Sequence, residues 1–346
     1  MSAASGTGVD AGRFALNARA AARPELGGVE RWARELARRL PQLGDYDVIR
    51  PPAALSHRAG HAWEQVALPA RARRASLLLN PANLAPIAFP RNAVVIHDAA
   101  ALRHPGWYSP TYATWQRAVL PLIAKRARLV ITVSEFSRNE LRELLGVDAH
   151  VVPGGVDARF SPEADPAPAK AALGLARPYV LTVASDTKRK NLAALAATSR
   201  RLGTHGIDLV AAGGTRPQLA GDERHAARPL GHVPDQHLPG LYAGASAFVL
   251  PSWHEGFGLT CLEAMACGVP VVAARAGALP ETCGDAARYA DPADPDDIAA
   301  QVEAALADDT LRAAGPPRAA EFTWDRTTDM LDALMRSPPP PASARG

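Results

Sequence analysis

The stretch 254-HEGFGLTCLEAMACGVPVV-272 decides how this chain is read. An apolar run, Ala247 to Leu250, precedes it and reads as a strand that Pro251 ends. Gly256 and Gly258 then permit a tight turn with close backbone approach, and the composition from Leu259 to Cys267 is helical, stopped by Gly268 and Pro270. A strand that feeds a glycine turn and a helix start is an anion cradle, because the free amides of the first helical turn and the positive end of the helix dipole face whatever lies beyond the strand. Two carboxylates flank this cradle, Glu255 before the helix and Glu263 inside it. A carboxylate near a phosphate is repelled unless it accepts hydrogen bonds from hydroxyl groups, as the acidic residue of dinucleotide folds does from a ribose. Phe257 and Leu259 complete a turn shaped for a phosphate flanked by polyols, which is the description of a nucleotide sugar.

Working outward, Tyr179 to Val183 reads as a strand and is followed by SDTKRKNL, residues 185–192. Lysine and arginine in a loop entering a helix suit a pyrophosphate, which needs cations to bind and to stabilise the leaving group as charge develops. Ile207 to Ala211 is another strand, ending at Gly213 and Gly214. Ala93 to Ile96 is a buried strand ending in His97 and Asp98, so His97 stands where ligands sit in an open parallel sheet. The aromatic segment Trp107 to Trp115 either stacks a sugar face or packs internally. Ser137 and Glu140 have capping-box spacing in the helix Ser134 to Leu145, which predicts a structural role for both.

These motifs together resemble the retaining glycosyltransferases of family 4, most of all bacterial mannosyltransferases of surface polysaccharide synthesis. The match runs over nearly residues 14–336, with Thr260 where many members carry proline. The resemblance implies an α/β GT-B fold: two facing Rossmann-like domains with parallel sheets and a deep interdomain cleft. It places the acceptor on residues 14–158 and the nucleotide sugar on residues 159–323, with the PGGVDARFSP segment as hinge and a final helix, 324–336, packing back on the first domain. It further implies that His97 and Glu255 act at the reaction centre, and that Gly27 and Gly28 floor the donor cleft. Lys190 would contact the diphosphate with Arg189 beside it, the turn carrying His232 and Val233 would contact the base, and Gly213, Gly256, Phe257, Gly258, Leu259 and Glu263 would complete the donor site. Many relatives carry an arginine five residues before that lysine; here the position is Ser185.

The expected reaction moves a hexose from a nucleotide diphosphate sugar, with GDP-mannose the donor suggested by the resemblance, to a hydroxyl of a glycan or lipid-linked acceptor with retention. No cofactor and no metal is expected: no D-x-D run ends a strand, and Lys190 and Arg189 can neutralise the diphosphate. A sugar-nucleotide epimerase and a non-catalytic nucleotide-binding subunit are the competing readings.

Composition sets the bounds. The 346 residues suffice for two domains, each with its own core. The most apolar region, Ala118 to Val133, is interrupted by Lys125, Arg126 and Arg128, so no membrane span is expected, and the first 13 residues lack a signal pattern, which makes a cytoplasmic protein the default. Residues 1–158 hold 20 Lys and Arg against 13 Asp and Glu, a balance of +7, whereas residues 159–346 hold 18 against 22, a balance of −4. The basic half, with its Arg71, Arg73 and Arg74 cluster, is either a solvated surface or a peripheral contact to an anionic membrane face. Cys261, Cys267 and Cys283 show no metal or disulfide spacing and read as small core residues. Residues 1–13 and 337–346 read as disordered.

Overall fold

The computed structural model of the chain describes residues 14–23, 27–55, 60–214 and 226–338. The stretches read as disordered therefore lie outside the described residues, except Ser337 and Pro338. Strands alternate with helices, and the described strands are β1 (Phe14–Asn17), β2 (Tyr46–Ile49), β3 (Leu78–Asn80), β4 (Asn92–Val95), β5 (Leu129–Thr132), β6 (His150–Val151), β7 (Tyr179–Val183), β8 (Asp208–Ala212), β9 (Arg228–Gly231), β10 (Ala247–Leu250), β11 (Val271–Ala274) and β12 (Ala287–Ala290). They form two six-stranded sheets, with strand orders β2-β1-β3-β4-β5-β6 and β12-β11-β10-β7-β8-β9. The strand pairs run parallel, as crossover helices require.

By its contacts the chain divides into two compact units. The first comprises Met1–Ile96, Leu122–Ile131 and Thr328–Gly346, and the second His97–Pro121 and Thr132–Thr327. In the first unit the helix Gly28–Arg39 buries Trp32, Ala33 and Leu36 together with Glu30, while Arg38 is exposed and Arg31, Arg34 and Arg39 are half-buried. Trp63 is buried inside the helix Gly60–Arg71. The end of helix Trp324–Arg336 belongs to this unit: the Tyr46 hydroxyl donates to Asp332 at 2.9 Å and Arg336 pairs with Asp45 at 2.8 Å.

The second unit is built around β7, whose Tyr179, Val180 and Leu181 have no exposed surface. From β7 the chain winds outward through β8 and β9, then crosses back to place β10, β11 and β12 on the other side. The order reverses between β7 and β10, and in an open parallel sheet ligands bind outside the carboxyl ends of the strands at that point. The loops that follow these two neighbouring strands therefore emerge side by side. Cys261, Cys267 and Cys283 are buried and free, as the composition implied.

Three strands and one helix of this unit escape sequence reading. β9 contains Pro229 and lies at the sheet edge, where a missing N–H is tolerated. Half of the residues of β11, VVAA, and of β12, ARYA, are alanine, which carries little strand signal. Helix Asp309–Ala320 contains Pro316 and Pro317 and still forms, because it packs on helix Leu259–Ala266. Gly315 makes that contact possible, since a Cβ there would lie 3.0 Å from the Met265 carbonyl oxygen. No helix among the described residues is long and apolar enough to cross a membrane.

Because a side chain at Gly315 would press on the Met265 backbone, Gly315→Val is expected to destabilise the chain by about 1–3 kcal/mol through overpacking, and Gly315→Ala by less. Thermal melts of the three proteins check this; a Val variant that melts with the wild type would remove the close packing from the account.

Candidate active site

The loop after β7 and the loop after β10 meet at the switch point. Residues Lys188–Lys190 form one 3₁₀ turn that ends at Asn191 in the left-handed conformation, with φ 55°. The Asn191 side-chain amide donates to the Pro251 and Pro292 carbonyls at 3.1 and 2.8 Å, and the Trp253 amide donates to the Arg189 carbonyl at 3.0 Å, which stitches the two loops together. Their charged groups interleave. Lys190 Nζ lies 2.5 Å from Glu255 Oε1, and Arg189 Nη1 lies 3.6 Å from Glu255 Oε2 and 3.7 Å from Asp98 Oδ2.

The cluster lies deep: Glu255 is only 6 % exposed. Burial by itself would push the Glu255 carboxyl up, but the charges of Lys190 and Arg189 outweigh it and hold the pKa at about 2. The Lys190 ammonium is depressed by burial and by Arg189, with Glu255 opposing. Burial would also lower Arg189, yet Glu255 and Asp98 raise it above its ordinary value. Glu255 is consequently ionised at any working pH, and its chemistry is that of a hydrogen-bond acceptor.

The turn after Glu255 is set by two glycines. A Cβ on Gly256 would collide with the His97 carbonyl, and Gly258 has φ +99° as N-cap of helix Leu259–Ala266. The first amides of that helix, at Leu259 and Thr260, precede the intrahelical ladder and lie at the positive end of the helix dipole. Phe257 is half-buried with its ring 5.7 Å from that of Phe322. Glu263, in the same helix, is buried and accepts the Tyr242 hydroxyl at 2.9 Å. Gly213 follows β8, its amide bonded to the Gly231 carbonyl at 2.9 Å, and exposed His232 and buried Val233 follow β9, so all three stand at strand carboxyl ends of the same sheet. His97 follows β4, is 8 % exposed and belongs to the second unit, where it packs on Gly256. Gly27 and Gly28 belong to the first unit and open its helix Gly28–Arg39; the Gly27 amide is taken by Glu30 Oε2 at 3.1 Å.

The capping-box reading of Ser137 and Glu140 is corrected. Ser134 is the N-cap of helix Glu135–Leu145 and accepts the Ser137 amide at 3.0 Å. Its hydroxyl donates in turn to the Gly256 carbonyl at 2.7 Å, and the Ser137 hydroxyl donates to the His97 carbonyl at 2.9 Å. Glu140 receives His254 Nε2 at 2.9 Å and Arg103 Nε at 3.0 Å. Glu281 takes the amides of Glu135 and Phe136 at 2.7 and 3.0 Å. Four residues therefore fasten one helix around the turn 254–256, each through partners 37 to 146 positions away in sequence, at which range local spacing carries no signal. Of the aromatic segment, half-buried Trp107 stacks on exposed His104 at 4.0 Å and lies edge-on to His254 at 6.4 Å.

Comparison with known proteins matches both halves of the chain. A family model described as Glycosyltransferase Family 4 matches residues 26–160, and one described as Glycosyl transferases group 1 matches residues 177–308. The chain is 33% identical over 262 residues to O-antigen chain mannosyltransferase B of Escherichia coli, covering 69% of this chain and 68% of that one. It is also 33% identical over 256 residues to D-inositol 3-phosphate glycosyltransferase of Corynebacterium jeikeium, covering 65% of this chain and 60% of that one. Among solved structures, sucrose-phosphate synthase from Thermosynechococcus elongatus shares the fold with a TM-score of 0.75 at 20% identity, over 94% of this chain and 98% of that one. Anabaena HepE in complex with UDP-glucose does so with a TM-score of 0.71 at 18% identity, over 94% and 100%. With a parallel sheet that reverses at β7 and β10, a glycine turn opening a helix there, and relatives matched along most of its length, the chain belongs to glycosyltransferase family 4 and has the GT-B fold.

Proposed function

We propose that this glycosyltransferase moves a hexose, mannose from GDP-mannose, to a hydroxyl of a glycan or lipid-linked acceptor with retention at the anomeric carbon. The observation that carries the reading is the pair of cations, Lys190 and Arg189, held beside Glu255 and the open helix start at the switch point. A diphosphate arriving there meets two positive charges and the amides of Leu259 and Thr260, which supply the charge neutralisation that transfer requires without a metal ion or cofactor. Lys190 then exchanges its carboxylate partner for phosphate oxygens, which frees Glu255 to accept sugar hydroxyls. His97 lies across Gly256 from the same turn and serves the hexose. The departing diphosphate oxygen takes the acceptor's proton, so no separate base is needed. Mannose is favoured by the likeness to the Escherichia coli mannosyltransferase.

A ligand that binds only the folded state raises its melting temperature, by free energy RT ln(1 + [L]/Kd). Across a panel of nucleotide sugars, GDP-mannose is expected to stabilise the wild type most and to lose most of that effect in Lys190→Met. Stabilisation by another donor reassigns the sugar, and none by any donor overturns the site.

Glu255→Gln is expected to keep donor binding within a few fold while turnover falls at least about ten-fold, the cost of one transition-state hydrogen bond to a charged group. The same variant separates the structural part of the pair. A carboxyl held at about 2 against an ordinary 4.5 stabilises the fold above about pH 4.5 and loses that stabilisation as pH falls toward 2, on the order of 3 kcal/mol in all. The gap in melting temperature between wild type and Glu255→Gln should be full at pH 6 and narrow on acidification; a gap independent of pH contradicts the pairing.

The reading extends to location. The first half's balance of +7 suits the cytoplasmic, anionic face of a membrane. Co-sedimentation with phosphatidylserine vesicles that high salt abolishes is expected; equal behaviour with neutral vesicles excludes an electrostatic contact.

A further inference from the structure

Asp98 and Tyr108 stand beside the charged cluster, and donor binding uses neither. Asp98 Oδ1 accepts the Ala100 amide at 3.1 Å. Oδ2 is 3.7 Å from Arg189 Nη1, beyond hydrogen-bond length, and its side chain is 24% exposed, so this oxygen keeps lone pairs that a ligand can reach. The half-buried Tyr108 hydroxyl makes no hydrogen bond among the described residues. Burial pushes its pKa up and the Asp98 charge pushes it further, which puts the phenol in the field of the same carboxylate and of Arg189 and Glu255. Its ring stacks on that of Tyr112 at 5.5 Å with planes 25° apart, and Tyr112 in turn lies 6.0 Å from Trp115. An accessible carboxylate oxygen, an open phenol and a run of aromatic rings thus occur together, next to the cations that would hold a diphosphate. A sugar offers the complementary chemistry: hydroxyl donors at its edge and a C–H face that lies on a ring.

Resting on the glycosyl-transfer reading above, we propose that Asp98 and Tyr108 select the acceptor, that the acceptor is itself a sugar, and that a hydroxyl next to the reacting one donates to Asp98 Oδ2 while the ring lies against Tyr108 and Tyr112. In the transfer the reacting oxygen bonds to the anomeric carbon, and the bond from that carbon to the diphosphate oxygen breaks with its electron pair going to the diphosphate. The proton of the reacting hydroxyl passes to that diphosphate oxygen. Asp98 takes no proton; its hydrogen bond to the neighbouring hydroxyl fixes which acceptor oxygen faces the anomeric carbon.

The test uses octyl α-mannoside, octyl glucoside and octyl galactoside with the donor that stabilises the protein, and divides the donor consumed between octyl disaccharide and free sugar. Asp98→Asn and Tyr108→Ala are expected to raise the KM of the best glycoside and to lower the ratio of transfer to hydrolysis by about ten-fold or more, the loss of a hydrogen bond to a charged group. Tyr108→Phe, which keeps the ring, should lie between these and the wild type. The donor-induced rise in melting temperature should persist in all three variants. A glycoside lacking the neighbouring hydroxyl should lose as much with the wild type and lose nothing further with Asp98→Asn. An unchanged ratio, loss of the donor effect in the variants, or a wild type that binds donor and uses none of the glycosides overturns this proposal. A wild type that no donor stabilises overturns the site reading beneath it instead.

Discussion

The ion pair between Lys190 and Glu255 is the contact on which the second unit's site depends. Taking two charges out of water costs several kcal/mol for each ion even after relaxation, so a buried pair survives only where geometry and further partners repay the desolvation. Here the repayment comes from strand order. β7 and β10 are distant in sequence and adjacent in the sheet, so the loops that follow them emerge side by side, and each supplies one sign of charge. Arg189 adds a second cation, and the Asn191 and Trp253 bonds keep the two loops in register. An isolated lysine in this place would shed its proton, and an isolated glutamate would gain one.

The two glutamates of the motif are spaced eight residues apart and have come to different physical ends. Glu255 is charged and charge-paired, with its pKa driven to about 2. Glu263 is equally buried but faces a phenol: the Tyr242 hydroxyl donates to it, and both groups sit in the packed interior of the helix layer. A sequence motif shows that both are acids; only the neighbours decide that one answers to cations and the other to a neutral donor. The difference bears on the roles proposed for them, since a lysine drawn from Glu255 to a diphosphate would leave the carboxylate still compensated by Arg189.

What could be read in advance divides along the same line. The strands β7 and β10, the glycine turn and the helix after it were legible because each is a local pattern of at least four residues with a fixed period or a required backbone geometry. Lys190 and Glu255 stand out in the sequence as charges in their own loops, but their pairing across 65 positions does not. The partners of Ser134, Ser137, Glu140 and Glu281 were not legible, since each does its work on a group brought near only by the fold. The helix Asp309–Ala320 was missed for a further reason: its two prolines argue against it locally, and the packing of Gly315 on Met265 overrides them.

Those fastenings change how the turn 254–256 should be regarded. A glycine-rich turn is usually the soft part of a site, yet here its carbonyl at Gly256 is held by Ser134, its histidine by Glu140, and the helix that carries both is itself capped by Glu281. Each bond is worth only about 1 kcal/mol net, and more where a charged group takes part. Their value is collective, because they act on one helix and order the same few backbone atoms. The cations of the site therefore face a turn whose position is fixed before a ligand arrives, and binding energy need not be spent on ordering it. Rigidity of this kind is what transfer asks for, since an acceptor oxygen misplaced by an ångström loses most of the advantage of being bound.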